Sequence, residues 1–373
     1  MIILGIDTSC DDTCVALLKI RNSTTAHFQW AGSPSPYSRA VAKFEIRSNI
    51  VSSQAKLHAK YGGVYPSLAK REHQKNLPIV FKKALRQAQG KLLRKTQGKL
   101  IDLIGVTVGP GLEPCLWQGV NFAKDLARKL NSPIIPVNHI EAHILVNIIS
   151  NQQLAISNFP AVCLVVSGGH TQLILMRGIR QYKLIGETRD DAAGECFDKV
   201  ARILGLGYPG GPIVAAEAAR CKVKGLRFRV RLPRPMIYQK NYDFSFSGLK
   251  TAVLYLVKQL TINNKQLTIR QKREICHEVQ QAIIDVLIHK TLRAAKDFKV
   301  KSIILGGGVV ANNELRKQFQ STINNQQLAM NFLVPPKIFC TDNAAMVAVS
   351  AYFNQEKAIK NWKKIKVNAN LKI

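Results

Sequence analysis

Acidic residues are scarce in this chain of 373 residues: 23 aspartates and glutamates stand against 54 lysines and arginines, a formal net charge of +31. Such an imbalance argues for a polyanionic partner, because neutralising phosphates and releasing their counterions is favourable. The plain alternative is a cytosolic protein of lysine-rich composition. The positive charge is scattered into clusters: Lys82, Lys83 and Arg86; Lys91 to Lys99; Arg227 to Arg234; and a tail, Lys357 to Lys366, that reads as a solvated face. No CxxC pair occurs among the eight cysteines, most of which lie in apolar stretches. That speaks against a disulfide framework or a zinc ribbon and for buried thiols in a reducing compartment. The N-terminal MIILGIDTS has no basic segment and meets Asp7 early, so it does not read as a signal peptide. No apolar run is long enough to span a bilayer, so a soluble, cytoplasmic protein with no membrane partner is expected. Neither GxxxxGK[ST] nor GxGxxG is present, which excludes the ordinary P-loop and Rossmann readings.

What the chain does have is core-forming material: 46% of residues are hydrophobic and 21% charged, enough for one large domain or two. MIILGID and TCVALLKI read as strands joined by the polar turn SCDD, and residues 161–176 as a second hairpin around Ser167-Gly168-Gly169-His170. Gln54 to Leu93, residues 118–130, DAAGECFDKVARILGL and residues 275–297 read as helices, with strands at IDLIGVTVG and SPIIPV. SIILGGGVVANNELRKQF is a strand, a glycine turn and a helix. TDNAAMVAVSAYF opens a final helix with Thr341 or Asp342 as its cap. The alternation, with an acidic hairpin echoed by a glycine hairpin, suggests two α/β domains on a related plan with a cleft between them. Three similar segments, ISNQQLAISN, INNKQLTI and INNQQLAMN, are too irregularly spaced for a solenoid and read as polar surface insertions, as does the local duplication KTQGK after QAQGK.

Chemistry concentrates in a few stretches. In NHIEAH, His139 and His143 are four residues apart, so a helix starting here puts both on one face, able to hold one metal ion. The protease pattern HExxH has the same histidine spacing, but its general base adjoins the first histidine. Glu141 is instead rotated by about 200° from His139 and points away. Spacing alone leaves the pair open between a metal site and histidines satisfied by backbone at a helix start; a third ligand is not supplied nearby. VVSGGHT, LGGGVVANNEL and GYPGGP are places where backbone can approach a phosphate, ribose or base closely, and together they favour a nucleotide cleft. Asp7, Asp11 and Asp12 could position a magnesium ion or water, accept a proton, or simply form the turn.

These stretches occur in an order that is highly specific: GIDTSCDDT, YGGVYPSLAKREH, VGPGL, NHIEAH, VVSGGHTQL, DDAAGECFDKVARILGLGYPGG, LPRP, DFSFSGLKT, LGGGVVANNELR and CTDNAAM. Together they closely resemble the tRNA threonylcarbamoyladenosine transferases, the TsaD family once described as O-sialoglycoprotein endopeptidases, from Met1 to about Phe353. The resemblance implies an α/β, two-domain actin/Hsp70/sugar-kinase-like (ASKHA) fold with an interdomain cleft. It places an N-terminal subdomain at 1–134 and a C-terminal one, carrying the metal and nucleotide motifs, at 135–373, with the helix from about 343 packing back on the first. It implies transfer of the threonylcarbamoyl group of threonylcarbamoyl-AMP to the N6 amine of the adenosine 3′ of the anticodon in tRNAs reading ANN codons, with release of AMP.

By position, the resemblance makes His139, His143 and Asp342 the ligands of one divalent metal ion per subunit, iron or else zinc. It makes Val165, Val166, Ser167, Gly168, Gly169, Asp198, Gly211 and Asn312 substrate- or nucleotide-binding residues. Asp11 is the candidate proton acceptor. The implied partners are tRNA, a smaller paralogous protein, an ATPase of the bacterial complex and an upstream threonylcarbamoyl-AMP synthase. Ser67, where the family commonly has Glu, and Glu113-Pro114-Cys115 depart from the family pattern and bear on partner binding and rate. Competing readings are a metalloprotease, a small-molecule kinase or carbamoyltransferase on the same fold, and a non-catalytic scaffold. The first is opposed by the Glu141 geometry, and the second explains neither the metal trio nor the charge. A scaffold would be expected to have lost the ligands.

Overall fold

The strands IILGID and LIGVTVG are apolar at nearly every position, the pattern of parallel strands covered on both faces, and both are buried along their whole length. In the computed structural model they pair in parallel, Ile3 opposite Leu103. The structure describes residues 1–22, 42–92, 101–151, 158–221, 230–262 and 266–373. The KTQGK duplication, most of the Lys91 to Lys99 cluster, Arg227, and the middles of ISNQQLAISN and INNKQLTI lie outside the described residues.

The strands are β1 (Ile2–Asp7), β2 (Asp12–Asn22), β3 (Ala42–Ser53), β4 (Leu103–Gly109), β5 (Ile134–Asn138), β6 (Ala161–Val166), β7 (Thr171–Gly178), β8 (Gln181–Glu187), β9 (Ser302–Gly306) and β10 (Asn331–Leu333). The helices are α1 (Ala55–His58), α2 (Pro66–Leu92), α3 (Glu113–Leu130), α4 (His139–Leu145), α5 (Asn147–Asn151), α6 (Ala193–Ile203), α7 (Gly210–Ala219), α8 (Ser247–Leu260), α9 (Ile269–Asp297), α10 (Asn313–Asn325) and α11 (Ala344–Phe353). No helix among the described residues is long and apolar enough to cross a membrane.

The chain divides into two units: Met1–Gln54, Val64–Ile156 and Asp342–Ile373 form one, Ala55–Gly63 and Ser157–Thr341 the other. The first unit's sheet has the order β3-β2-β1-β4-β5, the second's β10-β9-β6-β7-β8. Read from the other edge, the second repeats the first strand for strand. In each, three antiparallel strands are followed by two added in parallel. The echo of one hairpin by the other in the sequence is thus an echo of whole sheets. In the first unit α11 lies against β1 and β4 at backbone-contact distance. A Cβ on Gly5 would stand 2.1 Å from the Ala344 carbonyl oxygen, and one on Gly105 2.7 Å from Ala351 Cβ. The second unit's core gathers the buried faces of α6, α8 and α9 with Phe244, Phe246 and Phe319.

Several elements differ from the sequence expectation, each for a local reason. The helix expected over Gln54 to Leu93 is broken at Gly62-Gly63 and restarts at Pro66, where the missing N–H is harmless at a first helical position. The cap of α11 is neither Thr341 nor Asp342 but Asn343, whose side chain accepts from the Met346 N–H at 3.1 Å. INNQQLAMN is no surface insertion throughout, since Ile323 is a buried residue of α10 and Asn331 opens β10. In the Lys357 to Lys366 tail the lysines face outward. Between them Ile359 exchanges backbone hydrogen bonds with Ile134, and Ile365 is buried in the first unit's core.

Lys290 on α9 is fully buried, donating to the Asn241 carbonyl at 3.0 Å. Burial, and to a lesser degree the Arg293 cation, pull its amine down from 10.5 to about 8. Between those values the unfolded chain holds a proton that the folded chain has released, so stability rises with pH across that window. Denaturant unfolding from pH 7 to 10 should therefore show wild type gaining on Lys290→Met as the pH climbs past 8. A difference that stays flat with pH contradicts the assignment.

Candidate metal centre and glycine-lined turns

NHIEAH starts a helix because its asparagine is a cap. Asn138 Oδ1 accepts from the N–H groups of Ile140 at 2.9 Å and Glu141 at 3.2 Å. From His139 onward α4 is buried at every position, and the four-residue spacing stacks the two imidazoles, ring centroids 4.6 Å apart. Asp342 arrives from the far end of the chain. Because Asn343 rather than Asp342 caps α11, the Asp342 carboxylate is left to face the histidines, and the Cys14 thiol donates to its carbonyl at 3.5 Å.

The three groups converge. His139 Nε2 and His143 Nε2 are 3.2 Å apart, and Asp342 Oδ1 lies 3.5 Å from the first and 3.3 Å from the second. Ligand atoms bound to one ion at the usual bond lengths of about 2.1 Å sit roughly 3.0–3.4 Å from one another, so this triangle fits a single ion. On its other side His139 Nδ1 lies 3.4 Å from Asp7 Oδ2, and Asp7 Oδ1 accepts from the Ser9 N–H at 3.1 Å. Beyond that 3.4 Å contact Asp7 Oδ2 makes no hydrogen bond among the described residues, and His143 Nδ1 makes none either, though both are buried.

The electrostatics ask for positive charge. Burial by itself pulls the His139 imidazole down, but the Asp342 and Asp7 carboxylates outweigh it and push it up to about 10. Burial holds His143 below its ordinary value, and the imidazoles hold Asp342 well below the usual carboxylate range despite its burial. The acidic turn continues the pattern. Burial and the charge of Asp342 push Asp12 up to about 7 against the opposing Ser53 hydrogen bond, while burial and Asp11 push the Cys10 thiol up.

Glu141 faces away from the imidazoles. Its Oε2 accepts from Ser350 Oγ at 3.1 Å and from Asn354 Nδ2 at 2.9 Å, both on the last turn of α11 or its cap. The acid that resembles a protease base is thus a buried tie between α4 and α11. A second anchor, His73 of α2, stands out only in the structure. Its Nε2 lies 2.9 Å from the Cys10 carbonyl, which only accepts, so that nitrogen carries the proton and Nδ1, at 2.8 Å, accepts from the Thr13 hydroxyl. This buried ring fixes the turn that carries Asp11 and Asp12. A histidine on an otherwise polar stretch of helix was the only signal available.

The second unit holds the candidate nucleotide positions. Val165 and Val166 are buried at the end of β6. The Ser167 N–H donates to the His170 carbonyl at 2.8 Å and the His170 N–H to Ser167 Oγ at 3.1 Å, closing a turn whose Gly168 and Gly169 are exposed. Bare backbone surrounds it. A Cβ on Gly194 would stand 2.5 Å from the Ser167 carbonyl oxygen, and one on Gly307, at φ +92°, would stand 2.3 Å from that of Val166. Asp198 on α6 accepts from the Gly210 N–H at 2.6 Å and so fixes the start of α7, where Gly211 borders open space. Asn312 caps α10 through Oδ1 and donates to Gln280 at 2.8 Å. Ser167 to Gly169, Gly194 and Gly307 thus meet at the carboxyl ends of the parallel pair β6 and β9, the usual ligand edge of such sheets. Asp198 and Gly211 group by themselves around α6 and α7.

Two mixed sheets of one plan define the class: an ASKHA-type fold. The chain is similar in fold to component A of the Acidaminococcus fermentans (R)-2-hydroxyglutaryl-CoA dehydratase, TM-score 0.50 and 12% identity over 96% of this chain and 99% of that one. It is also similar to T. kodakarensis HypF, TM-score 0.54 and 11% identity over 98% of this chain and 49% of that one. The sequence profile of the TsaD family, tRNA N6-adenosine threonylcarbamoyltransferase, matches residues 45–349. Proteins of that name from Thermosipho africanus and Thermosipho melanesiensis are each 44% identical, over 100% and 94% of both chains, and one from Thermodesulfovibrio yellowstonii is 43% identical over 94% of both. The chain belongs to the tRNA N6-adenosine threonylcarbamoyltransferase family.

Glu141→Ala should lose roughly 2–4 kcal/mol of stability by stranding two buried donors, while Glu141→Gln keeps an acceptor oxygen and should lose about 1. Thermal denaturation reads the difference, and Glu141→Gln should remain an active transferase. A folded but inactive Glu141→Gln would restore a chemical role to this acid.

Proposed function

We propose that this chain transfers the threonylcarbamoyl group of threonylcarbamoyl-AMP to the N6 amine of the adenosine 3′ of the anticodon in tRNAs reading ANN codons, releasing AMP. The observation that carries the reading is the triangle of buried His139 and His143 with half-buried Asp342 in a member of this family. Two imidazoles and one carboxylate, with a second carboxylate behind His139, are a donor set for iron or zinc that leaves coordination positions open. Such an ion, once bound, supplies Lewis-acid polarisation of a substrate oxygen.

The chain's own residues do the positioning. Asp7 orients His139 through Nδ1, as carboxylates behind metal-bound histidines do. Glu141, by holding α4 to α11, keeps Asp342 in register with both histidines. The Ser167–Gly169 turn offers backbone groups to the AMP phosphate, and Gly211 and Asn312 border the nucleoside. The acceptor amine is conjugated with its ring and a poor nucleophile, so placing it against the carbamoyl carbon matters most. The amine nitrogen bonds to that carbon, the bond from carbon to the AMP phosphate oxygen breaks, and the amine proton passes to a base, for which Asp11 is the candidate. The partners that fit this reading are a smaller paralogous protein, an ATPase and a synthase supplying threonylcarbamoyl-AMP.

Labelled threonine incorporated into purified tRNA, with a transferase-depleted extract supplying intermediate and partners, tests the reaction. His139→Ala and Asp342→Ala should lose transfer and bound metal together, measured by elemental analysis of the purified chain. Asp7→Asn should weaken metal affinity about 10- to 100-fold. Full transfer by a metal-free His139→Ala would sink the reading.

A further inference from the structure

The loop Met236 to Tyr242 crosses α9 and is held there by unusual means. Fully buried Lys290 donates to the Asn241 carbonyl at 3.0 Å. Arg293 donates to the carbonyls of Gln239 at 2.6 Å, Lys240 at 3.3 Å and Asn241, while its guanidinium lies over the Tyr242 ring, 4.9 Å from the centroid. The Tyr242 hydroxyl donates in turn to Asp297 at 2.6 Å. Neither cation forms an ion pair among the described residues, and the buried Arg293 Nε has no acceptor. Burying Lys290 and half-burying Arg293 against neutral carbonyls is unfavourable compared with leaving them in water. Its structural result is three successive carbonyls pinned to one helix.

What the pinned loop presents is Tyr238, 83% exposed, the most exposed large hydrophobic side chain among the described residues. Its one aromatic neighbour among them is the edge of His289, at 5.6 Å between centroids. Lys240, two residues further along the chain, is exposed and forms no ion pair among the described residues. Arg293 and Lys296 follow His289 at intervals of four and three along α9 and so share a face with it, while burial and the Arg293 and Lys290 cations hold the His289 imidazole below its ordinary value, so it adds no charge at neutral pH. An open aromatic ring beside cations is what an unpaired nucleotide recognises, the base stacking and the phosphates pairing with the charge. Because the backbone beneath is already fixed, little freedom is lost on binding.

The geometry points to Tyr238 as a stacking platform for an unpaired base of the tRNA, with Lys240 neutralising an adjoining phosphate. It rests on the tRNA substrate of the proposed function. Fluorescence anisotropy with the full chain, one unmodified tRNA and one fully paired RNA duplex tests it. Tyr238→Ala should bind the tRNA about 10-fold more weakly and the duplex unchanged, while Tyr238→Phe stays close to wild type. Lys240→Gln should lower the slope of log affinity against log salt by about one. Undiminished tRNA affinity of Tyr238→Ala, with transfer intact, overturns the platform alone and leaves the surface to a protein partner; equal losses on both RNAs overturn it too. A chain that binds tRNA through Tyr238 but transfers nothing keeps the platform and overturns the transferase reading.

Discussion

The candidate metal centre depends on how closely α11 lies on the first sheet. With the Ala344 carbonyl oxygen 2.1 Å from where a Gly5 Cβ would stand, and Ala351 Cβ 2.7 Å from that of Gly105, only hydrogen fits at both positions. The helix contributes small residues to the same contact, in AAMVAVSAYF, and is buried from Ala344 to Tyr352. Sheet and helix therefore meet nearly backbone to backbone. That contact determines where the helix begins. Its first turn is capped by Asn343, so the preceding residue, Asp342, falls beside the imidazoles of α4. A larger residue on the sheet would lift the helix and separate a carboxylate from two histidines some two hundred positions earlier.

Glu141 secures the same arrangement from the other side of α4. In a helix of 3.6 residues per turn, a residue two places from each of two stacked histidines must face the opposite way. The sequence geometry that argues against a protease base is the geometry that lets Glu141 reach Ser350 and Asn354. Both faces of α4 are thus bound to the segment that leads into and out of α11, one through the Asp342 carboxylate and one through the Glu141 tie. A triangle with edges of 3.2–3.5 Å tolerates little movement, and two attachments restrain it better than one.

Legibility in the sequence followed the range of the interactions. The histidine pair could be read because its spacing is a property of one helix. Asp342 could not, since no periodicity connects positions that only the tertiary fold brings together; its role came from a whole set of motifs resembling one family. The central strands β1, β4, β6 and β9 announce themselves as apolar runs because both their faces are covered. The edge strands β3 and β8 were missed because an edge carries mixed burial, as in QYKLIGE, and no clean alternation. The cap of the final helix was read as Thr341 or Asp342 and is Asn343, because which residue of a polar run supplies the cap is decided by backbone angles that composition does not reveal. His73 went unread for a related reason: what it holds is a backbone carbonyl, and backbone leaves no trace in the alphabet.

The two units bury charge in contrasting ways, and the contrast is informative. The first sets the Asp7 and Asp342 carboxylates against the imidazoles of His139 and His143, and leaves His143 Nδ1 with no hydrogen-bond partner among the described residues. The second sets Lys290 and Arg293 against backbone carbonyls, an arrangement that immobilises a loop. Desolvating a charge is unfavourable in either case, so each persists only where it holds something in place. In the first unit that something is the convergence of α4 with Asp342; in the second it is a stretch of chain that follows an exposed ring. A net charge of +31 implies a polyanion but not where it lies. Long-range electrostatics brings RNA to such a surface from any direction, and a rigid aromatic gives it a fixed place to stop.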